Sequence, residues 1–360
     1  MEGDLIHINE WLKPLSWFYG LGTWLRNLCF DAGILKQQSF DRPVICVGNI
    51  TVGGTGKTPH IELLLKMLLP KHKVAMLSRG YKRKTEGFIL ANAKSTMHEI
   101  GDEPWQMKEK FPDAVIAVDG NRRRGIQHLL TDEATKDVEV ILLDDAYQHR
   151  YVRAGLNILL TDYHRLITDD YLLPAGRLRE PLSAKERAHI VIVTKCPVDM
   201  KPMDYRVIQK ALQLRPYQQL FFSTFHYGAL RRLFPNTPGQ KEELTPDTHV
   251  LLLTGIASPQ QMMMDLQRIT RHITPLAFAD HHEFTKSNIL QIEDAFTSLQ
   301  GSKRLIITTE KDAARLLPIK ELSPIVRRHI YVLPIEVELL RNEGPAFASS
   351  IHNFLHQPTT

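Results

Sequence analysis

The feature that most constrains this chain is a glycine-rich turn between a strand pattern and a helix pattern, in residues 44–69. The apolar run Val44, Ile45, Cys46, Val47 leads into Gly48-Asn49-Ile50-Thr51-Val52-Gly53-Gly54-Thr55-Gly56-Lys57-Thr58-Pro59. Ile61, Leu64, Leu65 and Leu68 then recur on one helical face. Strand, glycine loop and helix in this order are the setting that a phosphate-binding loop requires. Glycines let the backbone curl so that several N–H groups converge on one anion. The helix start adds its partial positive charge. Residues Thr51, Val52, Gly53, Gly54, Thr55, Gly56, Lys57 and Thr58 are therefore expected to bind a nucleotide. Lys57 would reach the β- and γ-phosphates, and the Thr58 hydroxyl would ligate Mg²⁺. Thr51 stands where the usual spacing has a glycine, but the run 53–58 is intact.

A second half of such a site lies at residues 138–145. There an apolar strand pattern ends in Asp144 and Asp145, the place of a carboxylate that holds Mg²⁺ directly or through water. Residues 74–77 read as a strand ending in a basic cluster, with Arg79 beside Gly80 as the candidate contact. Ligands of α/β sheets bind at such strand ends. Gly101-Asp102-Glu103-Pro104 precedes a helix. Its acids are read as an N-cap, or Asp102 as a general base facing a cleft, and both readings stand. Residues 114–118 form a further strand, and Asn121-Arg122-Arg123-Arg124 after it offers Arg122 as a phosphate contact. Tyr147, Gln148, His149 and Arg150 would line the same edge. Residues 156–160 and 190–193 supply two more strands. The proline-rich stretch 172–181, with Arg179 and Glu180, is neither helix nor strand and reads as a structured functional loop. Thr194-Lys195-Cys196-Pro197 is similar to a guanine-reading motif, but Pro197 stands where that motif needs aspartate, so no guanine specificity follows.

The chain has 360 residues, enough for two domains with their own cores. A net charge of +5 is too mild for a nucleic-acid footprint but suits an anionic ligand or membrane surface. Cys29, Cys46 and Cys196 lack metal or disulfide spacing, which points to a reducing compartment. The N-terminal stretch is broken by charges, unlike a secretory signal, and no run approaches the roughly 20 apolar residues that span a bilayer. Residues 1–40 hold Trp11, Trp17 and Trp24, with Leu15, Phe18, Leu21, Leu25 and Leu28 at helical spacing. This is either an interfacial helix or a helix packed on the core. After about residue 220 a second α/β set begins. Asp280-His281-His282-Glu283 within it lacks the further ligands of a zinc site; a histidine partnering a carboxylate is better motivated. The expected division is 1–40, an N-terminal amphipathic segment; 41–220, the phosphate-loop domain; and 221–360, a smaller α/β lobe. The expected fold is α/β, a nucleoside-triphosphatase-like, mainly parallel sheet with helices on both faces.

These pieces, in this order, resemble the tetraacyldisaccharide 4'-kinases of lipid A biosynthesis. The resemblance rests on the 47–59 loop, Leu77-Ser78-Arg79-Gly80-Tyr81, Gly101-Asp102-Glu103-Pro104 and Asp144-Asp145-Ala146-Tyr147-Gln148-His149-Arg150. It extends through Leu173-Pro174-Ala175-Gly176-Arg177-Leu178-Arg179-Glu180-Pro181, Asp280-His281-His282 and Thr308-Thr309-Glu310-Lys311-Asp312. Ala146 and Tyr147 replace the family's common glycine and phenylalanine. The resemblance also accounts for Thr51, since that family's loop has the same form. It implies ATP and Mg²⁺ as cofactors and tetraacyldisaccharide 1-phosphate as substrate, phosphorylated at its 4'-hydroxyl. It implies work at the cytoplasmic face of the inner membrane of a Gram-negative bacterium, with no nucleic acid and no obligatory protein partner. It tips residues 1–40 toward the interfacial reading. It implies Asp102 as catalytic acid–base residue, assisted by His281, with His282 as the alternative. Arg79, Arg122, Gln148, Arg179 and Glu180 become substrate or phosphate contacts. The rival is a switch or partitioning-type ATPase that acts on protein partners.

Overall fold

The computed structural model describes residues 8–237, 242–256, 259–279, 282 and 284–356. Strands β1 (Val44–Gly48), β2 (Val74–Ser78), β3 (Ile89–Leu90), β4 (Val115–Val118), β5 (Val140–Asp144), β6 (Leu156–Asp162), β7 (Ile190–Thr194) and β8 (Gln219–Tyr227) come first. They are followed by β9 (Arg231–Arg232), β10 (His249–Thr254), β11 (Ile273–Ala277), β12 (Arg304–Thr308), β13 (Ile330–Val332) and β14 (Ile335–Leu339). The chain forms two compact units, Met1–His226 with Val337–Thr360, and Tyr227–Glu336.

The first unit is built on a sheet in the order β14-β8-β7-β6-β1-β5-β2-β4-β3. From β8 to β4 every neighbouring pair is parallel, and only β3 against β4 is antiparallel among the pairings described. A parallel sheet is covered on both faces, so its strands read as unbroken apolar runs. All five residues of β1, β2, β5 and β7 are buried. Alternate residues serve two cores. Ile45, Val47, Leu142 and Ile158 meet Ile61, Leu64, Met107, Phe347 and Ile351 on one face. Val44, Cys46, Leu143 and Leu159 meet Ile126, Leu129, Ile208 and Leu212 on the other. Burying each such Leu or Ile contributes about 1.5–3 kcal/mol.

β1 lies between β5 and β6. The chain proceeds from β1 to one side, returns through β5 and crosses to β6 on the other side. That makes the carboxyl end of β1 a topological switch point, where ligands of open α/β sheets bind.

Two boundaries differ from the sequence expectation. Residues 337–360 belong to the first unit, because β14 extends its sheet beside β8 and the helix Gly344–Leu355 puts Phe347 and Ile351 into its core. Residues 1–40 do not separate as a unit. The helix Lys13–Asp31 packs through an inverted face, with Ser16, Asn27 and Phe30 buried. Trp17, Phe18 and Leu21 stand outside, 75%, 74% and 59% exposed.

The second unit has its own sheet, β11-β10-β12-β13-β9, parallel except at β9. Leu251, Leu253, Ile306, Ile292 and Phe296 form a core on one face. At the carboxyl ends of its strands the buried Asp312 accepts the Gly255 N–H (2.8 Å) and the Thr309 hydroxyl (2.8 Å). Asp312 thus ties the start of the helix Glu310–Leu316 to the turn after β10.

Candidate active site

The loop after β1 takes its form from bonds within it and from neighbouring segments. Asn49 is fully buried, and its amide donates to the Thr55 hydroxyl (2.8 Å) and the Thr51 hydroxyl (3.3 Å). The Thr194 hydroxyl, at the end of β7, donates to the Thr55 carbonyl (3.0 Å). Thr51 needs no glycine conformation because it pairs with Leu178 in an antiparallel bridge. The flanking backbone bonds are Val52 N–H to the Arg177 carbonyl and Arg179 N–H to the Ile50 carbonyl, both 2.7 Å. Thr51 and Thr55 are therefore turned into the protein. Open space begins at Gly53 and Gly54, where an added Cβ would meet nothing within 4 Å.

Gly56 closes the loop in the left-handed region (φ +82°) and caps the helix Lys57–Leu68. A Cβ there would strike the Phe225 ring. His60, one turn on, is 2% exposed; its Nδ1 lies 2.7 Å from the Gly56 carbonyl and its Nε2 3.0 Å from the Ser223 hydroxyl of β8. The first contact requires a proton on Nδ1, so Nε2 accepts from Ser223. Burial, the larger influence, lowers the His60 pKa to about 4 despite the Gly56 bond. The ring is neutral and pins the loop end to β8.

Asp144 and Asp145, at the end of β5, differ in state. Asp144 is 3% exposed; its Oδ2 accepts the Ser78 hydroxyl (3.1 Å), while its buried Oδ1 has no partner. Burial first, then Glu103 and Asp145, push its pKa up to about 7 against the opposing pull of Lys57 and Arg122. Burial also acts to raise Asp145, but Lys57 and Arg179 outweigh it and the net shift is downward. Lys57 Nζ lies 3.7 Å from Asp145 Oδ1, and the Arg179 guanidinium donates to the same oxygen at 2.9 Å. Asp145 thus holds Lys57 and Arg179 at the mouth of the loop.

The candidate ligands here, Asp144 and the Thr58 hydroxyl, are oxygens, and no group of three His, Cys, Asp or Glu side chains able to hold a metal occurs among the described residues. That donor set suits Mg²⁺, which takes one or two protein oxygens and completes its shell with phosphate and water. The unpartnered Asp144 Oδ1 and the Thr58 hydroxyl, in the first turn of the loop helix, are the residues that would hold it.

Asp102 opens the helix Asp102–Lys110, with Gly101 as its cap and no side-chain cap bond. The N-cap reading of Asp102 therefore fails by one position. Gly101 has φ +91°, and a Cβ there would lie 3.0 Å from the Tyr81 carbonyl. The helix start is in this way pressed against the segment that follows β2. Buried Glu62 accepts from Gln106 (3.1 Å) and pairs with Lys110 (2.5 Å), which ties this helix to the one that starts at Lys57. Arg79 is exposed at the end of β2. His281 lies outside the described residues. His282 is described: its Nε2 is 2.9 Å from Asn288 Oδ1, and its ring stacks on Phe278.

Other expected contacts are corrected by the structure. Arg122 is 3% exposed and donates to the carbonyls of Asp119 (2.7 Å) and Asp144 (3.0 Å). It braces the end of β5 from within and offers no surface for a phosphate. Glu180 is 1% exposed, paired with Arg187 and 3.7 Å from Arg26 of the N-terminal helix. It is an interior anchor, not a substrate contact. Gln148 donates its amide to the Asn49 carbonyl (2.7 Å), supporting the loop from below. Arg179 also donates to the Asn49 carbonyl (3.3 Å), so it serves loop and Asp145 together.

The segment 172–180 lies between the phosphate loop and the N-terminal helix. Ser16 Oγ donates to the Leu172 carbonyl (2.9 Å) and accepts the Ala175 N–H (3.0 Å). The Tyr19 hydroxyl donates to the Arg179 carbonyl (2.9 Å), and Arg26 to the Gln148 carbonyl (2.7 Å). Sequence reasoning gave no role to Asn49, His60, Ser78 and Ser223. His60 pairs with Ser223 and Ser78 with Asp144 across distant stretches of chain, and Asn49 acts by bonding Thr51 and Thr55 within its own loop.

With this geometry, likeness to known proteins becomes informative. The family described as Tetraacyldisaccharide-1-P 4'-kinase matches residues 8–356. The tetraacyldisaccharide 4'-kinase of Phocaeicola vulgatus is 54% identical over 99% of this chain and 98% of its own length. That of Bacteroides fragilis is 54% identical over 100% of this chain and 96% of its own. Among solved structures, LpxK from Aquifex aeolicus, crystallised in complex with ATP, superposes with a TM-score of 0.73 at 27% identity, covering 97% of this chain and 99% of that one. The chain belongs to the tetraacyldisaccharide-1-P 4'-kinase family.

Proposed function

We propose that residues 53–58, Asp144 and Asp102 together carry out the family's reaction. That reaction is the ATP-dependent phosphorylation of the 4'-hydroxyl of tetraacyldisaccharide 1-phosphate, a step in lipid A biosynthesis. The carrying observation is the open backbone at Gly53 and Gly54 beside Lys57 and a buried carboxylate with a free oxygen. The amides of the loop and the helix start bind the phosphates of ATP. Lys57 exchanges Asp145 for the transferred phosphoryl group and neutralises it, and Arg79 adds charge from the end of β2. Mg²⁺ held by Asp144 and Thr58 would offset phosphate charge. Asp102 takes the proton of the 4'-hydroxyl; His281 is the proposed assistant. Phosphoryl transfer rests on positioning and charge, which the braces at His60, Arg122 and Glu62 supply.

The same reading places the exposed Trp17, Phe18, Leu21 and Trp24 at the lipid headgroups on the cytoplasmic face of the inner membrane. Two observations support it. Ser16 and Asn27 of this helix face inward while Trp17, Phe18 and Trp24 face out. Among the described residues no helix is long and apolar enough to cross a membrane. A helix of this kind lies in the interface.

The test is γ-phosphate transfer from ATP to tetraacyldisaccharide 1-phosphate in detergent micelles, beside a control without acceptor. Transfer should require acceptor, vanish in Lys57→Ala and fall about 10²–10⁴-fold in Asp102→Asn, the range for a general base. ATP hydrolysis at the same rate without acceptor would instead establish a switch-type ATPase.

A further inference from the structure

A cavity of about 390 Å³ opens in the first unit and shares no residue with the 49–58 loop. Its lining includes Arg42, Arg150, Arg153, Arg187, His149 and His189, and no aspartate or glutamate. Two of these arginines are neutralised elsewhere: Arg150 Nη2 by Asp31 (2.5 Å) and Arg187 by Glu180. Arg42 and Arg153 are exposed, and neither side chain makes a hydrogen bond or ion pair among the described residues. Arg150 is 8% exposed, with Nη1 committed to the Asn27 carbonyl (3.1 Å), yet its buried Nε has no partner. The buried Nε2 of His149 has none either. Buried polar atoms without a partner are rare in folded proteins and call for an explanation. The surroundings are positive as well: burial, then Arg122, Arg26, Arg123 and Arg79, lower the His149 pKa to about 4. Phe40, Val152 and Phe354 give the same cavity an apolar side.

We propose that this cavity binds a small phosphomonoester with a short apolar body. Arg42 and Arg153 hold its oxyanion, with the Arg150 and His149 side chains forming the wall behind it, and Phe40, Val152 and Phe354 hold the apolar part. The volume falls in the lower part of the range for small-molecule sites, about 300–1,000 Å³. The donor number favours phosphate, which offers three terminal oxygens where a carboxylate offers two. The turn that carries His149 and Arg150 directly follows Asp144 and Asp145, and Arg187 stacks on Tyr147 (4.7 Å) within it. An occupant therefore sits against the back of the carboxylates that serve the phosphate loop.

The probe is n-hexyl phosphate, titrated calorimetrically into the full chain saturated with ATP, with inorganic phosphate and n-hexanol in parallel. Hexyl phosphate should bind, inorganic phosphate more weakly, and hexanol not measurably. The His149 imidazole nitrogen resonances should move with the titration. The pair Arg42→Glu and Arg153→Glu should weaken binding at least tenfold, and Arg42→Lys with Arg153→Lys should keep most of it. Both arginines are exposed, so an unchanged melting midpoint certifies the fold. A second arm uses phosphatidylcholine vesicles with phosphatidic acid. Vesicle retention that depends on the two arginines assigns a lipid headgroup as the source; dependence only with hexyl phosphate assigns a soluble ester. Equal affinity in the glutamate variant, a silent His149, or loss of all binding in the presence of ATP overturns the proposal. The last would mean that the probe had bound only in the phosphate loop.

Discussion

Replacing His60 by asparagine tests whether a neutral buried imidazole fixes the end of the phosphate loop. Asparagine keeps a donor near the place of Nδ1, which bonds the Gly56 carbonyl at 2.7 Å. It loses the Nε2 contact to Ser223 at 3.0 Å and leaves that hydroxyl unpaired in a buried site. The expected cost near pH 7.5 is about 1–3 kcal/mol. The pH dependence is the sharper signature. The folded pKa of about 4 lies below the ordinary value of 6.5, so the unfolded chain binds the proton first. Stability from this group is complete above pH 6.5 and is lost as pH falls toward 4. Linkage puts the loss between pH 7.5 and 4.5 at about 2–3 kcal/mol. Asparagine does not titrate, so every other pH effect cancels between wild type and variant. Wild type should lead clearly at pH 7.5 and lose most or all of that lead at pH 4.5. Urea melts followed by tryptophan fluorescence read this in the right unit, because Trp11, Trp17, Trp24 and Trp105 are the chain's four tryptophans and all belong to the first unit. A stability difference that stays the same at both pH values would refute the neutral, buried imidazole.

Three further outcomes can be checked directly. Gly56→Ala meets the Phe225 ring at φ +82°; left-handed strain alone costs about 1–2 kcal/mol, so ATP affinity measured by calorimetry should drop at least tenfold. Asp144→Asn should abolish Mg²⁺-dependent transfer while sparing the metal-free fold. Because the Asp144 pKa is raised to about 7, its favourable contribution is present at low pH and is lost as pH rises through 7, so the variant should gain relative to wild type from pH 5 to pH 8 in thermal melts. Changing Trp17, Leu21 and Trp24 together to serine removes only exposed side chains, so stability should move by about 0.5 kcal/mol or less per site, while co-sedimentation with phosphatidylglycerol vesicles should fall sharply.

The phosphate loop was legible in the sequence because its chemistry is contiguous: glycines, Lys57 and Thr58 need only the strand before them and the helix after. Asp144 and Asp145 were legible for a related reason, since an apolar run that ends in acids places them at a strand end. The triple Arg122, Arg123, Arg124 was not. Three equal side chains open one helix, and only the helix's seat against β5 turns Arg122 inward to two carbonyls. Glu180 shows the same limit, since its partners Arg26 and Arg187 come from a distant helix and a nearby turn.

The N-terminal helix shows where composition stops. Its spacing of Trp, Phe and Leu serves a core helix and an interfacial helix equally well. What decides is that Ser16 and Arg26 find backbone partners around residues 148–175, so the polar face is the one that turns inward. The sequence by itself determined the parallel α/β fold and the glycine-rich loop after β1, because periodicity and local motifs specify elements and their ends. The tertiary structure alone decided which sheet received residues 335–339, which arginines became braces, and what held Gly56 and Asn49 in place. Those outcomes depend on pairings between separate elements of the fold, and no local pattern encodes which surface will supply the partner.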